Sequence, residues 1–196
     1  MATGGALKQM WQSIVNALGG FFGADQTAVD ETTGLSVYEK NLIRSSWEQA
    51  MKNKKKFGVD VFIRLFKHHP HSQDLFEQLR DIPIEELHEN RKMKAHALRV
   101  MASLNSLVEN LDDIEVLLEM LQNVGRTHIR HHVDKHYYDG LGTALMEAFE
   151  EELKDKFSQK TKDAWLKAYG VMTKVIVDEY DEAQTNANES TVDKES

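Results

Sequence analysis

The chain has no cysteine and only two prolines among its 196 residues. The first absence excludes a disulfide framework, a thiolate metal site and a thiol nucleophile. The second leaves long tracts open to helix, because proline is the strongest helix breaker. Both prolines, Pro70 and Pro83, fall in one short stretch. Glycine is too sparse for a loop-rich protein, β-branched runs are rare, and Leu, Lys, Glu, Met and Ala dominate. An all-α fold follows as the expectation. No apolar run is long enough to span a bilayer. The N-terminal "LKQMWQSIVNALGGFF" is interrupted by polar residues too often for a secretory signal, so a cytoplasmic protein is expected. A basic excess is missing too. Residues 1–35 carry one Lys against three acids and residues 178–196 one Lys against seven, which leaves 36–177 neutral within a total of −8. Nucleic-acid binding needs a concentrated basic face and is not expected.

What is present divides into three. Residues 1–35 read as an extension: an amphipathic helix over 7–22 (Leu7, Met10, Trp11, Ile14, Val15, Leu18, Phe21, Phe22), then a small, polar linker over 23–34. The polar face of that helix carries only Lys8, weak for membrane contact. Packing onto the body of the protein, or onto a second copy in a homodimer, is the expected use of its apolar side. From about residue 181 the acidic tail "DEAQTNANESTVDKES" has almost nothing apolar to bury and is expected to be disordered.

The core, 36–180, opens with Ser36 and Glu39 spaced as a capping box, and its second helix should stop at Pro70. Met93, His96, Ala97, Val100, Met101, Leu104, Leu107, Val108 and Leu111 then follow helical spacing for more than four turns. Leu117, Met120, Leu121, Val124 and His128 do so again. Each stripe holds one histidine. An unpaired imidazole on an apolar face costs roughly 1–3 kcal/mol, and either one alone would usually be satisfied by a carbonyl. Two, on separate helices among Val, Leu and Met, suit a large apolar cofactor with a metal at its centre. His128 also belongs to a dense run, with His131, His132 and His136 inside nine positions. A zinc site from His128, His132 and His136 at i, i+4 and i+8 is the rival reading of that run. His131 and His136 read as solvated, and "HHPH" at 68–71 as a helix end near the negative dipole.

"VFIRLFKHHPHSQDLF", "KAHALRVM" and "LQNVGRTHIRHHV" together resemble the globin family, in the family's order and spacing, over about 36–180. Trp47 matches the tryptophan of the first globin helix, Pro70 the proline opening the third, and Phe76 the phenylalanine that stacks on haem. "AHALRVM" and "IPIEEL" are similar to neuroglobin-like chains and globin X. The resemblance implies a globin fold of about eight helices around haem b (iron protoporphyrin IX). It makes His128 the proximal iron ligand and His96 the distal one, either binding iron itself or hydrogen-bonding a bound gas. The Thr127 hydroxyl and a backbone carbonyl one turn earlier would accept from the other ring nitrogen of His128. Phe62 and Val100 would line the distal pocket, and Val124, Val133 and Tyr138 would also contact the cofactor. Arg99, and His132 just past the helix, would lie near the propionates. Lipid-anchored globin X chains carry glycine where this chain has Ala2, so that acylation is not expected.

Three functions remain open on this reading: reversible binding of O2, CO or NO for storage, transport or sensing; haem redox chemistry with an external reductase as electron donor; and a haem-free interaction module. Gas binding with a bis-histidine, six-coordinate iron leads.

Overall fold

The computed structural model describes residues 27–192, with side chains as far as 183. The helix expected over 7–22 lies outside the described residues. Six α-helices follow in order: α1 (Val37–Met51), α2 (Lys54–His68), α3 (Arg91–Glu109), α4 (Ile114–Arg130), α5 (Tyr137–Leu153) and α6 (Gln159–Val192). Three 3-10 turns, at Pro70–Leu75, Ile84–Glu86 and Lys154–Lys156, complete the helical segments. Among the described residues the extended structure is one isolated antiparallel bridge between Val29 and Ser36. No described helix is long and apolar enough to cross a membrane.

Local chemistry sets the helix ends. The Ser36 hydroxyl accepts from the Glu39 N–H at 3.2 Å, and the Glu39 carboxylate accepts from the Ser36 N–H at 2.7 Å. This is the capping box read in the sequence. α2 ends at His68, and Pro70 opens the turn after it. Asn90 and Asp113 cap α3 and α4 through their side-chain oxygens.

The core is a stack of apolar helix faces around an aromatic cluster. Trp47 of α1 lies 5.8 Å from Trp165 of α6, and Phe149 of α5 lies 4.8 Å from Trp165 (ring centroids). The two indoles find partners despite burial: Trp165 donates to the Ser46 hydroxyl at 2.8 Å and Trp47 to Asn105 at 3.0 Å. α2 crosses α3 closely at Gly58, where a Cβ would meet Met101 Cγ at 2.8 Å and Ala97 Cβ at 3.2 Å. That close crossing brings Phe62, one turn further along α2, up to His96.

Regular structure is present on both sides of residues 36–180. Residues 30–35 form a tight turn in which Asp30 accepts from the Thr32 and Thr33 N–H groups at 3.0 and 2.7 Å. Leu35 is fully buried, and Lys40, itself buried, bridges Asp30 and Asp112. The end of the expected linker is therefore packed. At the other end α6 continues to Val192, where the composition had suggested disorder from 181. "DEAQTNANESTV" has almost nothing apolar to bury, yet it also lacks Pro and Gly, so nothing breaks the helix.

Candidate functional site

α3 and α4 scarcely touch each other: α3 packs on α2, and α4 on α6. A cleft of about 300 Å³ opens between them, with Ser103, Ser106 and Leu107 on one wall and Met120 and Val124 on the other. Val100, Leu104, Met120 and Val124 are half-buried and pack against the edge of the core, and Met120 and Val124 also line the cleft. Two amphipathic helices that turn apolar side chains toward a gap leave room for a flat apolar group.

His128 enters from α4. Its Nδ1 lies 2.8 Å from the Val124 carbonyl, an oxygen that can only accept, so Nδ1 carries the proton and Nε2 holds a lone pair. The helix end behind it is unusually well tied. The N–H of Val133 donates to the His128 carbonyl at 3.1 Å, and that of His132 to Ile129 at 3.0 Å. His132 sits at φ +55°, in the left-handed region. Together these form a Schellman stop, with histidine where glycine is usual. Three tyrosines hold the next segment. Tyr180 of α6 donates to the Val133 carbonyl at 2.9 Å, and Tyr169 donates to the Tyr138 carbonyl at 2.7 Å. The Tyr138 and Tyr180 hydroxyls lie 3.3 Å apart. Because the single Tyr180 proton goes to Val133, Tyr138 is the donor in that pair. Burial pushes the Tyr138 hydroxyl above its ordinary pKa, and the Tyr180 bond and charge act the same way, so it stays protonated. The Tyr138 ring is 5.8 Å from the His128 ring.

His96 enters from α3 into a different environment. Among the described residues its ring makes no hydrogen bond. Phe62 and Phe76 instead meet it edge-to-face, at centroid distances of 4.8 and 4.9 Å. Burial pulls its pKa from 6.5 down to about 4, with smaller contributions from the Arg99 and His128 charges. Neutral imidazole is the form present at pH 7. Arg99, one turn along on the exposed side, makes no ion pair with a described side chain.

The residues singled out in the sequence fall into two groups: Phe62 and Phe76 around His96, and Val124 and Tyr138 beside His128; Val124 also lines the cleft, Val100 and Val133 are half-buried, and Arg99 and His132 are exposed. Thr127 departs from expectation. Its hydroxyl donates to the Asn123 carbonyl at 2.8 Å on its own helix, leaving the Val124 carbonyl as the acceptor for His128. The zinc arrangement is not assembled either. α4 stops at Arg130, so His132 and His136 lose helical register with His128, and His136 instead pairs with Asp134 at 2.7 Å. Among the described residues no cluster of three or more His, Asp or Glu side chains is arranged to hold a metal ion. In the "HHPH" run, His68 pairs with Glu147 at 2.9 Å, a partner on α5 that helix-end reasoning did not supply. Sequence reasoning also missed the Tyr180 tie, whose bonds span 42 and 47 residues.

Two half-buried imidazoles on neighbouring helices that leave a cleft between them are a donor set that fits a flat group carrying a central metal. It is this donor set, and not its separate parts, that makes the fit. Comparison with known proteins places the chain. The family model described as Globin matches residues 59–176. Cytoglobin-1 of Oryzias latipes is 31% identical over 156 residues, which is 79% of this chain and 88% of that protein. Neuroglobin of Danio rerio is 30% identical over 145 residues, 72% and 90% of the two chains. A solved structure described as a hexacoordinated heme protein from an anhydrobiotic tardigrade superposes with a TM-score of 0.72. It covers 77% of this chain and 98% of its own, at 22% identity, a likeness of fold.

Proposed function

Because this chain belongs to the globin family, we propose that it holds haem b between α3 and α4 and reversibly binds a diatomic gas, with His128 and His96 as the two axial imidazoles when no gas is present. The observation that supports this reading is the pair of half-buried imidazoles on α3 and α4, one with its Nδ1 engaged and the other packed between two phenyl rings. Bound haem would supply the iron to which O2, CO or NO attaches. The chain's own residues do the rest. The Val124 carbonyl holds the Nδ1 proton of His128, which aims Nε2 into the slot and raises its basicity. His96 stays neutral, keeping a lone pair for the metal or an N–H for a bound gas. Phe62 and Phe76 exclude water around it. Arg99 and His132, exposed at the margin, are available for the haem carboxylates.

In this reading gas competes with His96. If the open form is about 1% of the population, apparent affinity falls roughly a hundredfold. The protein then works in the cytoplasm as a gas store, carrier or sensor. A redox role is the second reading, favoured by the same pair of imidazoles, since an iron held on both sides would rearrange little on electron transfer; it needs an external reductase. Titrating the reduced, haem-loaded protein with CO and then O2 tests the proposal. Saturable, reversible spectral change supports it, and failure to take up haem or to respond to either gas overturns it.

A further inference from the structure

Phe76, one of the two rings against His96, does not sit on a long helix. It follows the 3-10 turn Pro70–Leu75 and starts a loop that runs on toward Pro83. The loop is closed from inside by Gln73, whose side chain is buried, only 8% exposed. Gln73 Nε2 donates to the carbonyl of Leu79 at 2.7 Å and to that of Ile82 at 2.8 Å. Both amide protons are thus spent on backbone six and nine residues away. Backbone bonds fill the same loop: the Leu79 and Arg80 N–H groups donate to the Phe76 carbonyl at 2.7 and 2.9 Å, and Ile82 N–H to Leu79 at 3.0 Å. Leu79 plugs the interior, and Arg80 reaches back to the Asp74 carbonyl at 3.0 Å. The ring held by this clasp packs on Phe66 at 5.4 Å, Phe62 at 5.8 Å and His96 at 4.9 Å.

We propose that Gln73 is a positioning residue for His96: its buried amide clasps residues 73–82 so that Phe76 stays against the imidazole, and this sets how fast His96 swings away. The proposal rests on the reading that His96 ligates the iron. His96 is held by two phenyl rings rather than by hydrogen bonds. Phe62 belongs to α2, most of whose side chains are buried, and moves only with that helix. Phe76 belongs to a loop and moves if the loop opens. Opening strands a buried amide and the carbonyls it serves, which is costly. With no cysteine in the chain, the clasp has to be noncovalent.

Gln73→Met keeps the bulk of the side chain and removes both donors. In the full-length, haem-loaded and reduced protein, the CO association rate at saturating CO equals the rate at which His96 departs. We expect that rate to rise about tenfold, the factor that corresponds to ~1.4 kcal/mol. A merely structural role would lower the melting temperature and leave the rate alone. Hydrogen exchange supplies a second readout that needs no variant. The amides of Leu79, Arg80 and Ile82 should exchange as slowly as the last turn of α2, and in Gln73→Met they alone should speed up. A folded variant with an unchanged or slower rate overturns the proposal, as do unprotected amides at 79, 80 and 82 in the wild type if the variant does not fold. In either case a wild-type reduced spectrum of six-coordinate type leaves the functional reading standing. A five-coordinate wild type overturns both.

Discussion

On the α4 side of the slot, His128 has its Nδ1 bonded to a carbonyl, its helix end locked by a Schellman stop, and the following corner tied to α6 by Tyr180. On the α3 side, His96 has two phenyl rings and no hydrogen bond. One imidazole is aimed and held, and the other is enclosed but not bonded. Hydrogen bonds fix direction, whereas ring contacts of this kind, each worth about 0.5–1.5 kcal/mol, fill space and permit a swing. On the proposed reading, the asymmetry makes the α4 imidazole the permanent ligand and the α3 imidazole the movable one, though both stand on apolar stripes of similar spacing.

Removing each side in turn breaks the comparison most sharply. His128→Ala should abolish stable haem binding, seen as loss of the haem absorption bands after gel filtration. His96→Leu should keep the haem and speed CO association, by roughly a hundredfold if the open form is about 1% of the population. A smaller effect concerns protons. His96 is held near a pKa of about 4 in the fold, against 6.5 when exposed. As pH falls from 6.5 toward 4 the unfolded chain takes up a proton there that the folded chain refuses. Stability is therefore lost through that window and levels off below it. The carboxylates of Asp30, Glu39 and Asp112, with pKa values lowered in the fold, remove stability only at lower pH, as they protonate. The melting temperature of the haem-free protein should thus fall between pH 6.5 and 5 more steeply in wild type than in His96→Leu. Next, Tyr180→Phe removes the donor to Val133 and should cost about 1 kcal/mol, with haem loss accelerating a few-fold at unchanged CO association. Smallest of all, Thr127→Val should leave the haem spectrum unaltered, because that hydroxyl bonds its own helix.

Much of this arrangement was legible in advance where local periodicity carries it. Both histidines stand on apolar stripes that became α3 and α4, Ser36 and Glu39 formed their capping box, and Pro70 ended α2. Legibility failed where a side chain chooses between nearby acceptors or reaches across the fold. The Thr127 hydroxyl and a carbonyl one turn earlier were both expected to serve His128; the carbonyl, that of Val124, does, while Thr127 donates to Asn123 on its own helix at 2.8 Å. Tyr180 and Gln73 act through bonds to backbone carbonyls, which leave no residue signature at the accepting end. The turn at 30–35 read as linker because its residues are small and polar, yet Asp30 uses that polarity to fold the turn onto α1 and bury Leu35.

The most direct measurement is the visible spectrum of the full-length, haem-loaded protein after dithionite reduction, with no gas present. A sharp, split pair of bands is the predicted result, from low-spin iron held by His128 and His96 together. A single broad band would contradict the account, because it would leave His96 outside the iron's coordination and the contrast between the two walls without a functional meaning.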